Sequence, residues 1–275
     1  MKYFKAKNAA LELAIEADNA AAVKAAIQQG ADVNTKGLYD VTPINMAVGK
    51  FKKQAAAELL RHGADTAPRD ADGDNAVTQA VSYYQKDPEL LKMVLAAGGD
   101  PNTREADNDP VIVRFLNDHD MDTVRWFKSM GADIDALTRS HRPLIISYGI
   151  SEDWDAVWTL LDLGARYDYT EGPWPTTKIF ADPEGGTLPG SPLWPYKEKT
   201  WRFLCQHGVK VPPLTTLEMW EDYIKWGDEN YKKMRPEQMP IITCDHATNT
   251  VKGEWGNLKP KVESAYHALK RRGEL

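Results

Sequence analysis

Apolar residues recur along this chain in one register, and the register repeats. A glycine closes each copy at Gly30, Gly63, Gly98, Gly131, Gly164 and Gly208, so the steps are 33, 35, 33, 33 and 44 residues. Four and three residues ahead of these glycines stand Ala26/Ile27, Leu59/Leu60, Val94/Leu95, Phe127/Lys128, Leu160/Leu161 and Leu204/Cys205. Seven ahead stand Val23, Ala56, Leu91, Val124, Val157 and Trp201. These three positions share one face of an α-helix, so each copy predicts a helix with an apolar stripe. The glycine suits the left-handed conformation that ends a helix. An Asp follows two residues later in four copies (Asp32, Asp65, Asp100 and Asp133) and opens a polar connection.

The polar connections run over 34–41, 67–74, 102–108 and 135–141. A second helix start follows each of them. Thr42-Pro43 pairs a capping side chain with a Pro at the first helical position, where no intrahelical hydrogen bond is lost. Asn75-Ala76, Asp109-Pro110 and Arg142-Pro143 stand at the equivalent places. Residues 8–30 predict an opening pair of helices turned at Asp18-Asn19, with Leu11, Ala14 and Ile15 on the first inner face.

A period near 33 with one helix pair per copy is the pattern of a helical repeat array. The chain resembles the ankyrin repeat family. The resemblance is carried by Gly30-Ala31-Asp32-Val33-Asn34, Thr42-Pro43-Ile44-Asn45-Met46-Ala47, His62-Gly63-Ala64-Asp65, Gly98-Gly99-Asp100-Pro101-Asn102, Gly131-Ala132-Asp133-Ile134-Asp135 and Arg142-Pro143-Leu144-Ile145. It implies an all-α solenoid of about six helix-turn-helix repeats over residues 1–211, with 212–275 as a capping region. It also implies that the polar connections are hairpin fingers projecting on one side.

Beyond Asp168 the composition changes, and eight of the nine tryptophans lie past residue 150. The Pro-, Gly- and Trp-rich stretch 171–196 accounts for the long last step and reads as an insertion in the sixth copy. Thr215-x-x-Glu218 has the form of a capping box, predicting a helix over 216–227, and a second helix is expected over 261–272. Ile241–Thr243 and Thr250-Val251 suit a short hairpin between them.

Charge and chemistry then narrow the function. The balance of 34 basic against 40 acidic residues, net −6, lacks the dense basic face of a nucleic-acid binder. No run of about 18 apolar residues is present, so no membrane-spanning helix is expected. His62 and His207 precede cap glycines at equivalent places, which points to a helix-end role, since a catalytic His has no reason to follow the fold period. Cys244-Asp245-His246 has no second ligand pair for zinc. The Gly-rich 184–190 lacks the Lys-Ser/Thr ending of a phosphate loop. Lys50, Lys52 and Lys53 read as a solvated helix end. Cys205 sits at a core position where a buried thiol is expected, and a disulfide to Cys244 stays open. Neither catalysis, cofactor nor metal is expected.

What is left is surface. In the resembled family the fingers and first-helix ends form a concave binding face, which here gives Leu38, Tyr39, Asp72, Asp74, Tyr83, Glu105, Asn108, Arg139 and His141 as partner-binding candidates. Trp174 in the insertion joins them. Tyr83 and Tyr148 have an alternative place beneath the next repeat, and Trp174 and Trp194 one as fasteners of the insertion. Lys2-Tyr3-Phe4, the segment Asp153-Trp154-Asp155-Ala156-Val157-Trp158 before Leu163-Gly164-Ala165, and the aromatic C-terminal region also resemble a narrower group. These are bacterial ankyrin-repeat proteins encoded beside secreted antibacterial toxins, notably phospholipase effectors of the type VI system. That resemblance implies an immunity protein, monomeric when free, that occludes one toxin partner of the lipase class. It also implies a periplasmic location with the export signal or lipobox removed. The alternative is a cytoplasmic adaptor, or a host-directed effector, that binds another protein.

Overall fold

The computed structural model describes residues 3–169, 175–180, 187, 191–215 and 241–254. They fall into two compact units, Met1–His141 and Arg142–Leu275. The boundary expected at 211/212 thus falls inside the second unit.

The first unit is built from four helix pairs: α1 (Ala9–Glu16) with α2 (Ala20–Gln28), α3 (Pro43–Gly49) with α4 (Lys53–Arg61), α5 (Ala76–Ser82) with α6 (Pro88–Ala96), and α7 (Ile112–Asn117) with α8 (Met121–Ser129). The stripe positions make its core. Val23, Ala56, Leu59, Leu91, Val94, Val124 and Phe127 are fully buried, facing Leu11, Ile44, Val77 and Phe115 from the first helices of the pairs. Phe115 and Phe127 meet with ring centroids 4.8 Å apart. The glycine that follows each second helix takes φ between +79° and +97°, as the cap requires.

Local chemistry starts most helices where the sequence places them. Thr42 Oγ1 accepts from Asn45 N at 3.3 Å. Asn75 Oδ1 accepts from the amides of Val77 and Thr78, and Thr78 Oγ1 in return accepts from Asn75 N. The fourth copy differs. α7 begins at Ile112, two residues past Pro110, and has no side-chain cap. The reason is that Asp109, expected to cap it, has its carboxylate held by Arg139 N at 2.7 Å.

Helix pairs of neighbouring copies are tied by charge. Lys50 bonds Glu16, and Lys53 Nζ reaches Asp87 Oδ2 at 2.5 Å. Two of the three lysines expected to face solvent, Lys50 and Lys53, therefore join neighbouring copies.

The second unit contains α9 (Leu144–Ile150) and α10 (Trp154–Asp162), then α11 (Trp194–Gln206). Among the described residues the sixth copy shows this one α-helix, and a five-residue 3₁₀ segment, Thr176–Phe180, stands ahead of it. Ile179 is buried, and its side chain lies where a Cβ on Gly149 would sit, 2.5 Å away. Trp194 opens α11 and is buried. Trp201 is fully buried and donates from Nε1 to the Pro212 carbonyl at 2.8 Å. Strands β1 (Ile241–Asp245) and β2 (Thr250–Glu254) form the expected antiparallel hairpin, with β1 running on past Thr243 to Asp245 and β2 past Val251 to Glu254.

Cys205 is buried in α11 and bonded to Cys244 of β1, with Cα atoms 5.8 Å apart. The free thiol is replaced by a covalent tie between helix and hairpin. Thr215 Oγ1, expected as a cap, accepts from Ile242 N at 3.1 Å. The helices expected over 216–227 and 261–272 lie outside the described residues, as does Trp174.

Candidate protein-docking face

The connections between helix pairs in the first unit form a row of tight turns. Each turn carries one residue in the left-handed region at an equivalent place: Asp40 (φ +55°), Gly73 (φ +87°), Asn108 (φ +72°) and His141 (φ +58°). Asp, Asn and His are among the side chains that tolerate this conformation, so Asn108 and His141 serve the turn itself. In the first turn Tyr39 is also left-handed, at φ +57°, so two consecutive non-glycine residues are strained there. The hairpin fingers expected here are closed by bonds such as Asp70 N to Asp74 O (2.8 Å) and Glu105 N to Asp109 O (2.8 Å), and the third is lengthened by Val111 N to Thr103 O (3.0 Å).

Arginines stitch the row. Arg69 donates from Nη1 to Gly73 O within its own turn and from Nη2 to Arg104 O of the next at 2.6 Å. Arg104, 35 residues on, repeats the pattern, reaching Asn108 O at 2.7 Å and Leu137 O at 3.1 Å. Ala71 N donates to Tyr39 O at 2.8 Å, which joins the first turn to the second. Arg139 donates from Nη1 to Asp107 Oδ2 at 2.5 Å and lies 3.5 Å from Asp109 Oδ2. Arg139 is thus both exposed and engaged with the neighbouring turn.

Four of the ten sequence-selected residues present free chemistry or exposed apolar area: Leu38 (52% exposed), Tyr39 (61%), Asp72 and Asn108. Among the described residues neither Asp40 nor Asp72 has a side-chain partner. Three others work mainly within the fold. Asp74 Oδ1 accepts from Thr78 Oγ1 at 2.9 Å, Glu105 is paired with Arg114 at 3.1 Å, and Tyr83 donates its hydroxyl to Gly49 O at 2.7 Å. Tyr83 also packs against Phe51, with ring centroids 5.5 Å apart, which is the alternative place beneath a neighbouring repeat. Tyr148 is buried in the second unit. Leu137, 42% exposed, is a turn residue that the positional argument did not select. Its carbonyl accepts from Arg104, a contact no local sequence signal announces.

The first turn has a support that sequence reasoning missed. Glu12, 4% exposed, accepts from Tyr3 N at 2.6 Å and from Phe4 N at 3.0 Å. Tyr3 O in turn accepts from Leu38 N at 2.9 Å. A buried carboxylate thus fixes the Tyr3-Phe4 segment, which holds the turn carrying Leu38 and Tyr39.

The residues weighed for chemistry have structural partners. His62 Nε2 lies 3.1 Å from Glu58 Oε1, and His207 stacks on Phe203 at 4.0 Å. His246 Nε2 bonds Val211 O at 3.0 Å, while Asp245 pairs with Lys252 at 2.7 Å. No group of three or more His, Cys, Asp or Glu able to hold a metal is found among the described residues. No described helix is long and apolar enough to cross a membrane.

No family model matches the sequence, and no curated protein matches it. Solved structures do. The ankyrin repeat domain of Bcl-3, a member of the IkappaB protein family, is 20% identical, with 57% of this chain and 71% of that chain covered at a TM-score of 0.50. An ankyrin repeat domain from Acinetobacter baumannii is also 20% identical, over 57% of this chain and 82% of that one, at a TM-score of 0.48. The likeness to the Bcl-3 domain concerns architecture, and with the registered helix pairs, cap glycines and turn row it gives the conclusion that this chain has the ankyrin repeat fold.

Proposed function

We propose that this protein is a non-catalytic scaffold that holds one protein partner on the turn row of its first unit. The observation that carries this is the first turn, where Leu38 and Tyr39 stand exposed on a strained backbone that a buried carboxylate and Tyr3 hold in place. Exposed aromatic side chains on a rigid support are the usual energetic centres of protein interfaces. Around them the turns carry Asp40, Asp70, Asp72, Asp74, Glu105, Asp107 and Asp109, a field that steers a basic partner surface.

The partner is a secreted antibacterial toxin of the lipase class, and binding neutralises it by covering its active-site mouth or its membrane-facing surface. The resemblance to toxin-linked ankyrin proteins supports this identity. The Cys205–Cys244 bond supports a periplasmic location, because such bonds persist in oxidising compartments.

The test is capture of partners from the lysate and secreted fraction of the source bacterium with the intact chain, followed by binding to Tyr39→Ala. A single lipase-like toxin, bound about 10- to 100-fold more weakly by the variant, is expected. Several unrelated cytosolic proteins would favour the adaptor reading. Unchanged affinity for Tyr39→Ala would remove the first turn from the interface.

A further inference from the structure

In the first unit the loops after Gly63 and Gly131 are bridged by an asparagine of the preceding copy, and the loop after Gly98 between them is not. Asn34 donates from Nδ2 to Gly63 O at 3.2 Å and accepts at Oδ1 from Asp65 N at 2.8 Å. Asn102 makes the same pair of bonds one interval further on, to Gly131 O at 3.1 Å and from Asp133 N at 2.7 Å. Between them the equivalent position is Ala67, which has no side chain to bridge the Gly98–Asp100 loop. The backbone there is unchanged. Asp65 Oδ1 accepts from Ala67 N at 3.0 Å, as Asp32 Oδ1 does from Asn34 N (2.9 Å) and Asp100 Oδ1 from Asn102 N (2.8 Å). The carbonyl of Gly98 and the amide of Asp100 are therefore left, among the described residues, without the partner that their counterparts have.

At this place the molecule has a groove of about 760 Å³ between the second and third turns, and its wall includes Ala67, Gly98 and Asp100. Carboxylates of Asp65, Asp72, Asp100 and Glu105 line it against the guanidinium groups of Arg69 and Arg104, which are engaged with backbone carbonyls. A partner is thus offered one acceptor, one donor and an acidic rim, in a spacing that a carboxamide fills twice elsewhere in this chain.

We infer that the Ala67 gap is a subsite for the side-chain carboxamide of an Asn or Gln of the docked protein, donating to Gly98 O and accepting from Asp100 N. The rim selects Lys or Arg beside that residue. At the Gly63 and Gly131 loops the chain fills this place with its own amide; here the partner does. The subsite rests on the turn row being a protein-docking face.

Two measurements decide it. The first titrates isotope-labelled intact protein with acetyl-Lys-Asn-Lys-amide and with acetyl-Lys-Leu-Lys-amide. The Asn peptide is expected to shift the Asp100 amide resonance and the Leu peptide to leave it in place. Equal shifts by both peptides, or a shift by neither, would overturn the subsite. The second uses Ala67→Asn, which supplies the missing bridge internally. It is expected to raise Tm by about 2–4 °C, protect the Asp100 amide from exchange and abolish the Asn-peptide shift. A variant that leaves the Asp100 amide unprotected, or responds to the peptide as the parent does, counts against the geometry. With a captured toxin in hand, about 5- to 10-fold weaker binding by Ala67→Asn is expected. If that toxin binds Ala67→Asn and the parent alike while losing Tyr39→Ala, the subsite fails and the docking face stands. If no partner is retained by any form, the docking face fails on its own, and the peptide titration still decides the subsite.

Discussion

At the residue scale, the docking turn depends on Glu12, which lies 26 positions before Leu38 and touches no part of the exposed face. A buried carboxylate accepting two amides cannot be truncated without leaving both donors unpaired, which costs about 1–3 kcal/mol. Glu12→Ala is therefore expected to lower stability by about 2 kcal/mol in denaturant unfolding and to speed exchange of the Leu38 amide, which Tyr3 O now accepts. Glu16→Ala, on the same helix but facing Lys50, serves as the control and should leave Leu38 protected. If both variants leave that amide equally slow, Glu12 does not hold the turn. Nothing around Glu12 in the sequence marks it, since an acidic residue in a first helix reads as solvated until the Tyr3-Phe4 segment is placed against it. The capping residues Thr42 and Asn75 were legible, because a cap bonds within three residues of itself. Asp109 was misleading for the opposite reason, as its carboxylate is taken by a residue 30 positions away.

At the element scale, the second helices were legible in full, since burial on one side forces the 3.6-residue period onto any sequence that folds this way. The sixth copy was not. Its first helix is represented by the 3₁₀ segment Thr176–Phe180, and Pro, Gly and Trp content predicts an insertion without saying which residues will pack. The packing is read from Gly149 of α9, where an added Cβ would stand 2.5 and 2.7 Å from Ile179 Cγ2 and Cβ. Both contacts are with a branched side chain close to its backbone, so the segment must shift to make room. Gly149→Ala is expected to favour α9 by propensity yet lower Tm and open the 176–180 segment to limited proteolysis. An unchanged cleavage pattern with a raised Tm would show that the segment does not depend on this contact. The disulfide was left open by the sequence because two cysteines 39 residues apart give no sign of proximity, and only the hairpin brings Cys244 to α11.

At the scale of the whole molecule, charge joins what the apolar stripe separates into copies. The hydrogen bond from Lys50 holds the Glu16 carboxyl below its usual range. Lys53, with the Glu89 amide, does the same for Asp87. A carboxyl whose folded value is depressed contributes stability that is fully present above its unfolded value and is lost as the pH falls through the folded one. Glu16 is exposed and Asp87 half-buried at the surface, so solvent screens both pairs and each contribution is small. The double variant Lys50→Met with Lys53→Met should flatten the fall of Tm between about pH 5 and pH 2 while changing little at pH 7. Parallel Tm profiles for parent and variant would assign the acid limb to other groups. The clasp of Tyr3 onto Leu38 has a practical corollary for every capture experiment on this protein. A tag, fluorophore or surface linker fused ahead of Tyr3 joins the chain close to the residue that accepts the Leu38 amide. Immobilisation by that end is expected to retain less partner than immobilisation by the opposite end, and equal retention from both would show that the first turn stays open.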